Sequence, residues 1–235
     1  EGCKMILLYD KKYACPNCKS NFTTKKPLSS KLRVEKVESD NHKIYKGVNP
    51  YHYEINICPH CGYAFGENAN KRLNIQKTEK IIQYLLNIKD FTRLTGERTH
   101  EDGLRTLKLG LYIAQLIEEP YYVKAGLSLK IAWLYREQGN IEGEMNYLKL
   151  SYDNYKKCYI NEDFEAIGYK RYFMLYTLAE LSRRLNYYED AKRWYAELFA
   201  ERNVPRITMN AARDLWIEFK EERKSSAHFE TQKGA

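Results

Sequence analysis

Four cysteines arranged as two Cys-x-x-Cys pairs carry the clearest chemistry in this sequence of 235 residues. Cys15 and Cys18 form the first pair, and Cys58 and Cys61 form the second. Such a pair can exchange disulfides or bind a metal ion. The second pair, spelled Cys-Pro-His-Cys, is similar to strongly oxidising disulfide exchangers when it is taken alone. The surrounding sequence must therefore decide between redox chemistry and metal binding.

The presence of two matched pairs favours metal binding. A tetrahedral zinc ion needs four ligands on two rigid turns, and each pair is followed at the same offset by a phenylalanine, Phe22 or Phe65. A redox pair is expected to open a helix after a strand, whereas the Gly62 that follows the second pair suits a knuckle turn. Four thiolates leave no position open for water, so the ion is expected to be structural. We predict one zinc ion per chain, with the ligands Cys15, Cys18, Cys58 and Cys61.

The composition is that of a soluble globular protein, since 43% of the residues are hydrophobic and 30% are charged. The longest apolar run near the start, Met5 to Leu8, is too short for a signal peptide or a membrane span. We therefore expect a cytoplasmic protein with no membrane partner, in which thiols stay reduced. The net charge of +8 is spread along the chain and permits nucleic-acid binding without establishing it.

Two regions with different periodicity predict an α+β fold that is mostly α. Residues 1–70 predict a small zinc-ribbon-like β module, with extended segments near 32–37 and 51–57. Residues 71–224 predict a domain of antiparallel helical hairpins, and residues 225–235 predict a disordered tail. The helical pattern begins near residue 77, with apolar residues at helical spacing through Leu86 and Ile88. Later helices are expected at residues 122–138, 141–159, 163–185, 188–201 and 208–223.

Two segments resemble tetratricopeptide repeats. Residues 131–155 and 178–200 each contain a helix, a short turn with Gly or Asn, and a second helix that opens with acidic residues. Ala132 and Ala179 occupy equivalent positions where paired helices must approach closely. Gly103 marks a third and poorer unit. These patterns predict a stack of tetratricopeptide-like hairpins with lengthened helices.

The same motifs resemble a known bacterial family. The knuckle YACPNCKSNFTTKKPLSSKLR, the segment YKGVNPYHYEINICPHCGYAF and the helical segment LKIAWLYREQGN occur in one order. Together they are similar to the family catalogued as domain of unknown function 2225, over about residues 7–220. The resemblance implies a cytoplasmic zinc-ribbon-like module followed by tetratricopeptide-like helices, and it implies a role only for the four cysteines.

The inner face of the predicted hairpins is one candidate binding surface. Aromatic side chains beside arginines can bind an acidic protein or peptide partner by stacking and bidentate hydrogen bonds. The alternative is that the aromatic side chains form interhelical core and the arginines face solvent. The residues of this predicted partner-binding groove are Trp133, Arg136, Tyr176, Arg183 and Arg184.

A basic loop predicted at residues 19–36 is a second candidate surface. Its lysines and hydroxyl groups could hold the phosphates of a nucleic acid, with Phe22 or Tyr63 available for base stacking. The alternative is a solvated edge whose lysines discourage strand pairing. The residues predicted to bind phosphate are Lys25, Lys26, Lys31 and Arg33.

These features favour a non-enzymatic binding or scaffold protein that recognises a protein, a peptide or a small effector. The alternatives are a nucleic-acid-associated regulator that uses residues 19–36 and an enzyme with a site between the two regions. His42, His52, His100 and His228 show no ligand spacing. The sequence also contains no nucleotide-binding glycine loop and no nucleophile elbow. We therefore predict no catalytic residue.

Overall fold

A computed structural model describes residues 7–67, 73–85 and 91–233, without the side chains of Leu85 and residues 225–233. The chain divides into two compact units, residues 1–154 and 155–235. The predicted boundary between residues 70 and 71 lies outside the described residues, as do Leu86 and Ile88. Across the described part of the chain, six short β-strands precede seven α-helices. This order confirms the predicted α+β fold that is mostly α.

Three antiparallel strand pairs form the β module of the first unit. The pairs are β1 (Leu8–Ala14) with β2 (Asn21–Pro27), β3 (Arg33–Val37) with β4 (Lys43–Lys46), and β5 (Asn56–Ile57) with β6 (Ala64–Phe65). One cysteine pair lies in the turn between β1 and β2, and the other lies in the turn between β5 and β6. Strand pairing therefore fixes the backbone on both sides of each Cys-x-x-Cys turn.

The sequence predicts an extended segment from Tyr51 to Ile57, and this prediction is wrong for its first half. A 3₁₀ helix covers Pro50–Tyr53, and β5 begins only at Asn56. Proline suits the first position of a helix because its φ is already fixed. The side chain of Asn49 caps the helix by accepting a hydrogen bond from the N–H of Tyr51 at 3.0 Å. This local capping chemistry outweighs the alternating pattern.

Two glycines let a helix of the first unit approach the β module. The four helices are α1 (Ile75–Leu85), α2 (His100–Leu116), α3 (Tyr121–Glu137) and α4 (Ile141–Asn161), of which α4 continues into the second unit. A Cβ at Gly103 would lie 2.6 Å from Cδ2 of His52, and one at Gly110 would lie 2.8 Å from Cγ1 of Ile55. Because such distances are too short for carbon atoms, a larger residue at either position would force α2 or the contacting residue of the module to shift.

The second unit contains α5 (Arg171–Arg184), α6 (Tyr188–Ala200) and α7 (Arg206–Lys233). Helices α5 and α6 pack as a hairpin, and α7 contacts both. The sequence predicts that α5 starts near residue 163, but turns cover residues 164–168 and Gly168 adopts a φ of +90° that a helix does not accept. Helix α7 continues through Lys233, into the segment that the sequence predicts to be a disordered tail.

The turns that end α2, α3 and α5 share one geometry. Each has a residue with positive φ, namely Glu118 (55°), Gly139 (69°) and Asn186 (57°). The next N–H then donates to the carbonyl five residues back, at 2.8, 3.0 and 2.9 Å, as in a Schellman motif. Ala132 and Ala179 are both buried and lie seven positions before their turn residues. The turns support the predicted equivalence of these alanines, and the assignment to tetratricopeptide repeats stays a prediction.

Candidate functional site

The four predicted cysteine ligands lie together in the first unit, with their sulfur atoms all within 4.8 Å of one another. Sγ of Cys15 is 3.7 Å from Sγ of Cys61, and Sγ of Cys18 is 3.6 Å from Sγ of Cys58. Sulfur ligands at about 2.3 Å from a tetrahedral ion are about 3.8 Å apart. All four cysteines are free thiols. The cluster can therefore bind a metal ion with little rearrangement.

The two knuckle turns match each other residue by residue. The N–H of Lys19 donates to the carbonyl of Cys15 at 3.0 Å, and the N–H of Gly62 donates to the carbonyl of Cys58 at 2.8 Å. Lys19 and Gly62 both adopt a left-handed backbone, with φ of 65° and 73°. Repetition of one turn thus places two thiols on each side of the site. His60, in the second turn, is exposed to solvent.

The left-handed position in the two turns should respond in opposite ways to substitution. Gly62→Ala should lower the free energy of unfolding by about 1–3 kcal/mol, because a Cβ there would lie 2.2 Å from Cε2 of Phe91 and would also strain the positive φ. Lys19→Gly should raise it by up to about 1 kcal/mol, since glycine adopts this φ without strain. Urea unfolding of the metal-loaded proteins measures both. Equal destabilisation by the two changes would contradict this account of the turns.

Hydrogen bonds inside the cluster separate the thiol pKa values. Bonds from Cys15 and Cys58, together with the Asn17 amide at 3.5 Å, lower the pKa of the Cys61 thiol. Bonds to Cys58 and Cys61, together with burial, raise the pKa of the Cys15 thiol. The Cys61 thiol therefore ionises more readily than the Cys15 thiol. A bound divalent cation would favour the thiolate form of its cysteine ligands.

The phenylalanines at the shared offset pack against each other in the β module. The rings of Phe22 and Phe65 meet edge to face at 6.2 Å, and Tyr63 stacks on Phe65 at 5.6 Å. All three side chains are buried. Phe22 and Tyr63 therefore stabilise the module and do not present an open ring for the base stacking that the sequence predicts.

The basic segment at residues 19–36 is not one loop, since it comprises β2, a 3₁₀ helix at Ser29–Lys31 and most of β3. Lys25 forms an ion pair with a carboxylate of β1 at 3.0 Å. Lys26 is buried, and its ammonium group lies 3.2 Å from Glu67. Lys31 and Arg33 are exposed. Two of the four predicted phosphate ligands are thus engaged within the first unit, and phosphate binding stays a prediction.

Two residues of the predicted groove, Trp133 and Arg136, contact an acidic turn at residues 38–40 of the same chain. The indole N–H of Trp133 donates to Oδ2 of Asp40 at 2.9 Å. The guanidinium of Arg136 donates to the same carboxylate at 2.7 Å and forms further ion pairs with Glu38 and Glu144. The sequence predicts that this aromatic and arginine pair binds acidic groups, and here those groups come from the β module.

The other groove residues lie in the second unit and are also engaged there. Tyr176 is buried. Nε of Arg183 and Nε of Arg184 donate to the carboxylate of Glu180 at 2.7 and 2.8 Å, and that carboxylate is fully buried. Charge pairing inside the unit therefore accounts for these arginines, and their role in partner binding stays a prediction.

A cleft of about 860 Å³ lies in the first unit between α1, α2 and the first half of α4. The residues of α2 that line the cleft recur at helical spacing. This pattern is visible in the sequence, but the predicted partner-binding groove did not include it. Lining residues on α2 include Glu101, Leu104, Arg105, Lys108, Tyr112 and Gln115. Tyr84 of α1 and Asn146, Tyr147 and Leu150 of α4 also line the cleft.

The fold and the cysteine site define a class: a mostly helical protein whose small β module carries a cluster of four cysteines with the geometry to bind a metal ion. The chain belongs to the bacterial family DUF2225, described as an uncharacterized protein conserved in bacteria, whose model matches residues 8–219. No curated protein and no solved structure matches the chain. No helix in the described part of the chain combines the length and apolar character that crossing a membrane requires.

Proposed function

We propose that this protein is a non-enzymatic binding protein. In this proposal a structural zinc ion on the four cysteines stabilises the β module, and the cleft on α2 recognises a peptide segment of a protein partner. The observation that carries the proposal is the cleft itself, where one exposed face of α2 presents cationic and aromatic side chains around an open volume. Ligand-binding clefts commonly have volumes of about 300–1,000 Å³.

The donor set favours zinc as the structural ion. Four thiolates form a soft tetrahedral set, which selects zinc or an iron–sulfur centre over magnesium or calcium. The separations of 3.6 and 3.7 Å between sulfur atoms suit one small ion at the centre. Because four cysteines complete the tetrahedron, the ion has no open position for a reacting water molecule. The proposed role of zinc is therefore to fix the two knuckle turns.

The cleft offers an apolar floor beside two cations. Tyr84 and Tyr112 stack with ring centroids 4.1 Å apart, and Tyr112 is 42% exposed, so a ligand can reach this pair. Arg105 is exposed one helical turn from Lys108. The ammonium group of Lys108 lies 4.8 Å from the ring centroid of Tyr135 and donates to its hydroxyl. Aromatic side chains beside arginine are characteristic of protein interaction hot spots.

These groups favour a peptide that carries an apolar or aromatic side chain next to a carboxylate. The apolar group would pack on the two tyrosines, while the carboxylate would accept hydrogen bonds from Arg105. Glu101, which lines the same cleft one turn before Arg105, would disfavour a second acidic group at that end. We therefore expect a short motif with one carboxylate, rather than an acidic tract.

Selection of a displayed random peptide library on the zinc-loaded protein tests the proposal. We expect enrichment of peptides that pair an apolar or aromatic residue with an acidic one. Arg105→Ala and Tyr112→Ala should each lower the affinity for a selected peptide by at least about tenfold, which corresponds to about 1.4 kcal/mol. Isothermal titration calorimetry measures the change in affinity.

Lys149→Ala is the matched control, because Lys149 is exposed on α4 and does not line the cleft. Its affinity for the selected peptide should equal that of the wild type. Unchanged affinity in Arg105→Ala and Tyr112→Ala would contradict the assignment of the cleft. Cleavage or modification of the bound peptide would contradict the proposal that the protein is not an enzyme.

A further inference from the structure

We propose that His52, His100 and Glu137 form a second metal centre, separate from the cysteine cluster, which binds a divalent transition-metal ion. One ring nitrogen of each histidine and one carboxylate oxygen of Glu137 lie within 4.8 Å of one another. The three residues come from the 3₁₀ helix at Pro50–Tyr53, the first position of α2 and the last position of α3. They are far apart in the sequence, and only the packing of these helices brings them together.

His100 is oriented as a ligand by the backbone of α3. Its Nε2 lies 2.9 Å from the carbonyl oxygen of Leu134. Because a carbonyl oxygen only accepts hydrogen bonds, Nε2 must carry the proton, and a neutral ring then has a lone pair on Nδ1. Nδ1 lies 3.6 Å from Oε2 of Glu137, on the side of the proposed centre. Donation by the second nitrogen to a carbonyl is the usual support for a histidine that binds a metal.

Glu137 is held in place by contacts with Asn49 and His42 of the β module. The side-chain amide of Asn49 donates to both carboxylate oxygens, at 3.1 and 3.0 Å. The amide orientation is fixed because its oxygen caps the 3₁₀ helix. Nε2 of His42 lies 3.0 Å from Oε1, and its Nδ1 lies 3.2 Å from Glu38. These contacts fix the carboxylate. Oε2 of Glu137 can still bind a metal ion on its side facing His100.

His52 supplies a buried nitrogen that has no hydrogen-bond partner among the described residues, its Nε2. Burying such a group without a partner costs about 1–3 kcal/mol. The ring of His52 packs against the backbone of Gly103, where a Cβ would lie 2.6 Å from Cδ2 of His52. It meets the ring of His100 edge to face, with centroids 5.2 Å apart. A metal ion at this position would give the buried nitrogen a partner.

Two imidazoles and one carboxylate favour a transition-metal ion such as zinc, cobalt, nickel or iron over magnesium and calcium, which prefer oxygen ligands. Tetrahedral ligands at about 2.0–2.1 Å from an ion are about 3.4 Å apart, so the most distant pair of ligand atoms must approach by up to about 1.4 Å. The side chains of His100 and Glu137 are 28% and 21% exposed, which leaves a route for the ion from solvent. A centre with three protein ligands also keeps at least one position for water.

Titration of the protein that already carries one zinc ion on its cysteines tests this centre. We expect calorimetry with Zn²⁺ to show a second and weaker equivalent per chain. Co²⁺ added in its place should give absorption from d–d transitions without a charge-transfer band from thiolate, because the proposed ligands contain no sulfur. Failure to bind a second equivalent would overturn the proposal.

Variants at the ends of two helices locate the second ion. Glu137→Gln and His100→Ala should each lower the affinity for the second ion by more than about 100-fold, while the first zinc ion stays bound to the cysteines. Glu142→Gln is the control, since this glutamate is exposed in the first turn of α4, and it should keep both ions. Circular dichroism selects variants that are folded, and either variant alone decides the question. A second ion that persists in a folded Glu137→Gln or His100→Ala protein would overturn the assignment.

Discussion

Cys58→Ser should reduce the metal content of the purified protein from about one zinc ion per chain to nearly none and should unfold the β module. The Cys58 side chain is fully buried, and its sulfur lies 3.6 Å from that of Cys18. Structural zinc in zinc-finger peptides contributes about 10–16 kcal/mol of apparent binding free energy, which is comparable to the entire stability of a small domain. Mass spectrometry of the metal and near-ultraviolet circular dichroism measure the two effects.

Cys158→Ala is the matched control for this substitution. Cys158 is also a fully buried free thiol, but it lies on α4 in the second unit. Its replacement should keep the zinc ion, while removal of one buried sulfur lowers stability only modestly. A Cys58→Ser protein with full zinc content and wild-type stability would contradict a structural four-cysteine centre.

Arg136→Ala should lower the free energy of unfolding by about 3–5 kcal/mol. The guanidinium bridges the β module to α3 and α4 through Asp40, Glu38 and Glu144. The Asp40 side chain is 1% exposed, so the substitution would leave a buried carboxylate without its cation. The cost of an unpaired buried charge is much larger than that of a lost surface ion pair. Chemical denaturation of the zinc-loaded protein measures it.

Arg105→Ala makes the same change in an exposed arginine of the first unit and should alter stability by less than about 0.5 kcal/mol. Arg136→Lys tests the geometry, because lysine keeps the charge but cannot bond two carboxylates in a fork. We expect its stability to lie between those of the wild type and Arg136→Ala. Equal stability of Arg136→Ala and Arg105→Ala would contradict the interpretation that this ion cluster joins the module to the helices.

The parts of the fold that could be predicted are those determined by residues close together in the sequence. Each cysteine pair lies in a local turn. The meeting of the two turns is the long-range exception: Cys18 and Cys58 are 40 residues apart, and the need of a tetrahedral ion for four ligands predicted that they come together. Gly139 and Asn186 likewise end helices through their own backbone preference. The 3₁₀ helix at Pro50–Tyr53 also depends on local capping, but the alternating pattern of residues 51–57, which overlaps it, masked the signal.

Other contacts between distant segments could not be predicted. Helical spacing placed Trp133 and Arg136 on one face of α3, but spacing does not reveal that the acidic turn at residues 38–40 covers that face. His52 and His100 lack ligand spacing because packing at Gly103, rather than a local turn, brings them together. The sequence therefore reveals which groups a helix carries, and the fold determines which of them remain accessible.

X-ray absorption at the zinc edge of protein that carries one zinc ion per chain tests the central claim of a four-cysteine structural centre. The measurement reports the type and distance of the atoms bound to the ion. We predict four sulfur atoms at about 2.3 Å and no nitrogen or oxygen ligand. A first shell that contains nitrogen or oxygen, or a purified protein that binds no zinc while its cysteines are reduced, would contradict the claim.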